Sequence, residues 1–276
     1  VRTFDSRHDQ ASGLRRLFRP RGLRLLPVVS DPRPGLSSVF AFNLAAALRR
    51  GGARPIVIDA HRDGVPALAG LDARRDLRDL LEGSCSVDQV LRTSREGLTI
   101  LPARHGAGAL VAHPGMAEAV FSAIASFRDG YDVALFHAPA ALLGRLLPER
   151  GVDFTFLCGL QDEDLTATYA WLKMMVRDFG LTRFRVVFDA GESESELEVV
   201  GRHRRLAQAA ARFLEAEVAF GGSVWRDPDL EEALRARASV FALTADASSA
   251  RAFERIATLA QDWRLPAFAP AERTIH

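Results

Sequence analysis

The sequence predicts an α/β fold, a single domain in three α/β/α layers around a doubly wound, mostly parallel sheet. Three observations lead there. Short continuous apolar runs alternate with segments of helical period, the pattern of parallel strands covered by helices on both faces. Residues 25–265 contain no Pro-, Gly- or Ser-rich linker, and the chain has no repeat or low-complexity tract. With 276 residues, 48% hydrophobic and 26% charged, it is long enough for a large core and too apolar for disorder.

The apolar runs at 23–29, 55–59, 98–101, 133–136, 154–158, 185–188 and 218–220 read as strands. Segments 38–50, 77–81, 87–92, 115–127, 165–179, 197–214, 229–236 and 248–263 carry the helical period between them. Ligands of such a sheet sit beyond the carboxyl ends of its strands, which points to the loops after Val29, Ile58 and Phe136. Residues 266–276, broken by Pro266 and Pro270, read as a flexible tail.

Several classes are excluded at this level. No stretch approaches the ~18 apolar residues of a membrane span, and the first residues lack the apolar core of a secretory signal. Cys85 and Cys158 fit neither a zinc pattern nor a disulfide framework, so a reducing cytoplasm is the expected compartment. The net charge of +1 is uneven: residues 1–24 hold seven arginines against Asp5 and Asp9, and the remainder carries −4. Nucleic-acid binding is therefore not expected of the body of the protein.

After the first strand, Ser30-Asp31-Pro32-Arg33-Pro34-Gly35-Leu36-Ser37-Ser38 leads into a helix holding Asn43-Leu44-Ala45-Ala46-Ala47-Leu48. Strand, loop and helix in that order are the setting of a phosphate-binding loop. Such a loop holds phosphate with backbone N–H groups and a lysine. Pro32 and Pro34 have no N–H, and only Gly35 keeps glycine's conformational freedom. Lys173, the sole lysine, belongs to a distant helix. Arg33, between two prolines, reads as facing water.

This stretch resembles the deviant Walker A motif of the MinD/ParA P-loop ATPases, S-G-K-G-G-V-G-K-T-T ahead of N-L-A-A-A-L. The resemblance implies a P-loop NTPase-like fold of the MinD (SIMIBI) type. It sets Pro32 at the signature lysine, Ser37 at the phosphate lysine and Ser38 at the Mg²⁺-binding threonine. Ile56-Val57-Ile58-Asp59-Ala60-His61 is similar to the family's I-D-A-D segment, with His61 in place of the second aspartate. The run from Tyr131 to Ala140 resembles Walker B, with His137 replacing the metal-linked aspartate and Ala141 the glycine. Val187-Phe188-Asp189 lacks the asparagine that contacts adenine in the family. Residues 75–91, 97–103 and 221–230 resemble further MinD segments in the same order.

Gly35, Ser37, Ser38 and Asp59 are thus the candidate nucleotide-binding residues, although an aspartate at a strand end also reads as a loop cap. Asp59 is the only matching acidic residue, so no catalytic residue and no metal ligand is assigned. Phosphoryl transfer depends on the charges that are missing. The expectation is a pseudo-ATPase with no resident cofactor, unable to hydrolyse ATP, with binding of ATP and Mg²⁺ left open. The competing reading is a working MinD/ParA-type ATPase, serving cell-division or partition positioning, that uses Arg33 and Ser38 in an atypical loop.

Residues 1–24 read as a basic partner-binding extension ahead of the domain at 25–265. Asp9, Gln10, Ala11, Leu14 and Arg15 match the D-Q-A-x-x-L-R segment of the flagellar number regulators (FlhG, also called FleN), which are relatives of MinD. In that family the segment docks on the signal-recognition-type GTPase FlhF and stimulates it. Ala11, Leu14 and Phe18 form a narrow apolar stripe at helical spacing. Gly13 and the short length keep such a helix marginal by itself, as in a segment that orders on a partner. The resemblance implies an FlhF-like GTPase as partner, flagellar-switch or polar-assembly proteins as further ones, and a cytoplasmic protein brought to the cell pole by its partner. The bland alternative is an arginine-rich tail that packs loosely or touches acidic lipid. Membrane anchoring is not expected of the last helix, whose stripe of Ala250, Phe253, Ile256, Ala257, Ala260 and Trp263 reads as packed on the sheet.

Overall fold

Side-chain alternation along the strands sets the layers. The computed structural model describes residues 22–269 apart from 62–63, 114, 128–129, 148–151 and 192–193. Its strands are β1 (Leu23–Val29), β2 (Pro55–Asp59), β3 (Arg92–Thr93), β4 (Thr99–Pro102), β5 (Val133–Ala138), β6 (Phe154–Gly159), β7 (Arg183–Ala190), β8 (Glu217–Trp225) and β9 (Ala267–Phe268). The helices are α1 (Pro34–Arg50), α2 (Val65–Leu68), α3 (Leu77–Leu81), α4 (Val87–Val90), α5 (Ala107–Ala112), α6 (Met116–Ser126) and α7 (Ala140–Leu146). They continue with α8 (Asp162–Phe179), α9 (Glu196–Leu214), α10 (Pro228–Arg235), α11 (Val240–Leu243) and α12 (Ser248–Leu259).

The strands join in one sheet of order β3-β4-β2-β5-β1-β6-β7-β8, with β9 added to β1. Among the described residues β3–β4 and β1–β9 are the antiparallel pairs, and the rest of the sheet is parallel. Leu25, Ile56, Phe136, Phe154 and Phe188 point to one face and pack under α5 to α9. Leu26, Val28, Val57, Leu135 and Val187 point to the other and pack under α1, α10 and α12. Each large side chain buried this way contributes about 1.5–3 kcal/mol, so two such layers hold the sheet from both sides.

Three expectations from the sequence change. Helix α1 begins at Pro34 rather than at residue 38, because proline's fixed φ suits the first helical position, where no N–H is needed. Gly35, Ser37 and Ser38 are therefore helical, and the freedom of Gly35 goes unused. Strand β8 runs on to Trp225 instead of stopping at Phe220. Its pairing with β7 shifts at Val186/Val187, leaving Gly221 as an extra residue. Gly222 follows at φ 120°, where a side chain would also press on Ile256.

The third change concerns the two ends. Residues 266–268, expected within a flexible tail, belong to the sheet. Leu25 N donates to Pro266 O at 2.9 Å, Leu23 and Arg24 pair with Phe268 and Ala267, and the Phe268 ring lies 4.7 Å from that of Phe121. The domain also starts earlier than residue 25, since Leu23 and Arg24 are part of β1. The apolar stripe of the last helix is covered by the sheet as expected, with Ala250, Phe253, Ile256, Ala257, Ala260 and Trp263 all buried. Among the described residues no helix is long and apolar enough to cross a membrane.

Candidate functional site

The turn after β1 is held by its neighbours at several points. Ser30 N donates to Ala138 O at 2.9 Å, and the Asp31 carboxylate accepts from Ala140 N, at the start of α7, at 2.8 Å. Arg33 reaches across to Asp164 of α8, Nη1 to Oδ1 at 2.7 Å. The expectation that Arg33 faces water is thereby corrected: its side chain is 36% exposed and its charge is engaged. Sequence spacing could not show this, because Asp164 lies more than a hundred residues on.

Of the four candidate nucleotide-binding residues, the structure brings two together. Gly35 is exposed with open space around it. The Ser38 hydroxyl is buried and donates to Pro34 O at 2.8 Å, one turn back in its own helix. Ser37 and Asp59 converge on His137, which the sequence reading set aside as a departure from Walker B. Strand register explains the meeting. Asp59 at the end of β2 is directly opposite His137 of β5, and Val28 of β1 flanks His137 on its other side. With a side-chain period of two, Asp59 and His137 both point toward α1.

The result is a chain of hydrogen bonds. Asp59 Oδ1 lies 2.7 Å from His137 Nδ1, and His137 Nε2 lies 2.7 Å from Ser37 Oγ. A carboxylate offers only lone pairs, so Nδ1 carries the hydrogen of the first bond. Asp59 is further engaged by two backbone donors, His61 N at 3.1 Å and Val65 N at 2.7 Å. It therefore also shapes the loop that leads into α2. Gly64 makes room for this, since a Cβ there would collide with the Asp59 carboxylate. Ser37, Asp59 and His137 are each 0–1% exposed. The His61 ring lies 5.9 Å from that of His137, and its buried Nδ1 has no partner among the described residues.

These residues do not fit Mg²⁺ and a triphosphate. Mg²⁺ needs oxygen ligands in near-octahedral array. Here both Asp59 oxygens already accept hydrogen bonds, the Ser38 hydroxyl is turned to its own helix, and an imidazole stands at the expected metal-linked carboxylate. Among the described residues no group of three His, Cys, Asp or Glu is placed to hold a metal ion. Bond for bond, Ser37–His137–Asp59 is arranged as in a serine hydrolase. Ser37 is nonetheless sealed from solvent, and the cavity beside the turn is lined by Gly35, Leu36, Phe40, Leu157, Asp189, Arg226 and Phe253 instead. That cavity, of about 450 Å³, has Asp189 and Arg226 in its lining. Burial pushes the Asp189 carboxyl above its usual range, against the pull of the Arg226 guanidinium paired with it.

His137 is the residue that sequence reasoning missed. The available signal was its register: an aspartate ending one strand and a histidine near the end of the next, at depths that parallel pairing makes equal. The expected partner-binding residues Asp9, Gln10, Ala11, Leu14 and Arg15 lie outside the described residues.

No protein-family model matches the chain. The antiactivator FleN of Pseudomonas aeruginosa is 29% identical over 232 residues, which cover 82% of this chain and 81% of FleN. Among solved structures, a chain of the MinC:MinD cell division protein complex of Aquifex aeolicus superposes with a TM-score of 0.64 at 16% identity, over 88% of this chain and 97% of that one. MinD of the same organism gives 0.62 at 16% identity, over 88% of this chain and 99% of its own. A ParA family ATPase from Chlorobium tepidum gives 0.63 at 14% identity, over 87% of this chain and 99% of its own. At those identities the structures speak for the fold alone, and the sequence similarity to FleN runs through most of it. The chain is similar in sequence to the antiactivator FleN over most of its length and has the fold of MinD and of the ParA family ATPase.

Proposed function

We propose that this protein is an FlhG/FleN-like regulator of flagellar biosynthesis that works by protein contact and has lost the ATPase switch of its relatives. The observation that carries the reading is the turn after β1. There two prolines, a lysine-free helix start and the buried Ser37–His137–Asp59 chain stand where phosphate and metal would need donors and ligands. Similarity to FleN over most of the chain supports the flagellar setting. The match of Asp9, Gln10, Ala11, Leu14 and Arg15 to D-Q-A-x-x-L-R supports an FlhF-like GTPase as the partner. In this reading residues 1–24 are the partner-binding extension, flagellar number or placement is the output, and the partner brings the protein to the cell pole.

The test is stimulation of FlhF GTPase by the full chain and by a chain lacking residues 1–20. The full chain should raise the GTPase rate and the shortened chain should leave it at its basal value. Equal stimulation by both would refute the assignment of the segment. The competing ATPase reading needs Arg33 and Ser38 to face nucleotide, whereas Arg33 is paired with Asp164 and Ser38 with Pro34 O. Calorimetric titration with Mg·ATP decides between the two: heat at millimolar nucleotide would favour the ATPase.

A further inference from the structure

We infer that Ser37, His137 and Asp59 form a built-in bridge that does the joining a bound metal and phosphate would otherwise do. The inference rests on the nucleotide-independent part of the proposed function and adds what replaces the ligand. Three elements meet at this end of the sheet: the end of β2, the end of β5 and the first turn of α1. Each contributes one side chain, and the two links between them are both 2.7 Å.

Burial makes the bridge more than a surface contact. All three side chains are essentially free of solvent, so a missing partner leaves polar atoms that water cannot easily satisfy. The bridge is also continuous with the backbone on both sides. At one end Asp59 accepts from His61 N and Val65 N, fixing the entry to α2. At the other, Ser37 is itself part of the first turn of α1, so the hydroxyl is anchored by the helix backbone. Asp31 adds a parallel tie from the same turn to Ala140 N, three residues after His137. The imidazole is the only member that reaches both of the others, and it stands between a strand end and a helix start. A ligand held there would stabilise the protein in proportion to its concentration. A side chain supplies the same cohesion at all times and makes this region indifferent to nucleotide.

The experiment uses the full chain and thermal melts. His137→Ala removes the central ring and leaves a gap between a carboxylate and a hydroxyl. Its Tm is expected to fall by roughly 5–10 °C. Free imidazole at tens of millimolar should then refill the gap and recover several degrees, as small molecules fill cavities left by deleted rings. The parent protein should show no rise with imidazole. Ser37→Ala, which severs one link and keeps the ring, serves where His137→Ala does not fold; it should lower Tm by a few degrees with no recovery by imidazole. An unchanged Tm in both variants, or no imidazole recovery in a folded His137→Ala, would overturn the bridge. So would a Tm rise of the parent protein with Mg·ATP. None of these readouts depends on FlhF, so failure of the bridge and failure of the partner assignment are seen separately.

Discussion

Asp227 ties two helices together with one carboxylate. It caps α10 through Leu230 N at 2.9 Å and accepts from Ser249 N at 2.8 Å and Ser249 Oγ at 2.9 Å, at the start of α12. Burial works to raise its pKa, but the Ser249 and Leu230 amides and the Ser249 hydroxyl outweigh it and hold the carboxyl below its usual range. A lowered pKa means stability that is present above the ordinary carboxylate value and lost as pH falls through the folded one. Asp227→Asn, which keeps the shape and removes the charge, should cost about 1 kcal/mol in urea unfolding at pH 7. The gap should begin to close below about pH 4 and narrow further as pH falls; a gap unchanged at pH 3 would point to shape and not charge. Cys158 gives a second test at this scale. Burial pushes its thiol up to about 11, so iodoacetamide at pH 8 should leave it unmodified in the folded protein and label it only after denaturation. Mass spectrometry of the intact chain and its peptides reads the outcome.

Among the elements, the short ones carry the unexpected structure. β9 has two residues, too few to show a period, and follows a proline, so nothing in its sequence announces a strand. It forms because Leu23 and Arg24 lie beyond the reach of β6, which meets β1 only at Val28 and Thr155. The unpaired edge is filled from the C-terminal side, and Asp153 N completes the seam by donating to Arg264 O at 2.8 Å. Ending the chain at Leu265 is expected to cost about 2 kcal/mol, chiefly the Phe268 ring against Phe121. Its Tm should drop by roughly 4–8 °C; an unchanged melt would show that β9 contributes nothing. Several other elements were legible in advance, although α5 and α7 were not among the expected helices. β1, β2 and α3 have the bounds that apolar runs and helical period assign them, and α8 and α9 start three residues and one residue earlier than expected. Those starts were missed because acidic residues at a helix N-terminus satisfy its dipole without adding to the apolar pattern.

Taken whole, the molecule has the fold of MinD and ParA proteins around a site whose polar groups are hydrogen-bonded to one another. A P-loop protein that bound Mg·ATP with a Kd of about 10 μM would gain about 2.7 kcal/mol at 1 mM nucleotide. This protein is expected to melt at the same temperature with and without 1 mM Mg·ATP, and a rise of several degrees would contradict that. The amino-acid sequence was enough to determine the α/β class, the parallel sheet and the two prolines in the turn after β1. Those follow from residue type and local period: apolar runs must be buried, and a proline has no N–H wherever it lies. Tertiary structure alone decided what the polar groups beside that turn bond to. Ser37, Asp59 and His137 are far apart in the chain, and only the pairing of β2 with β5, under the first turn of α1, brings them within hydrogen-bond distance. Arg33 with Asp164 and β9 with β1 are decided the same way, because each depends on which distant segment the closed sheet leaves beside it.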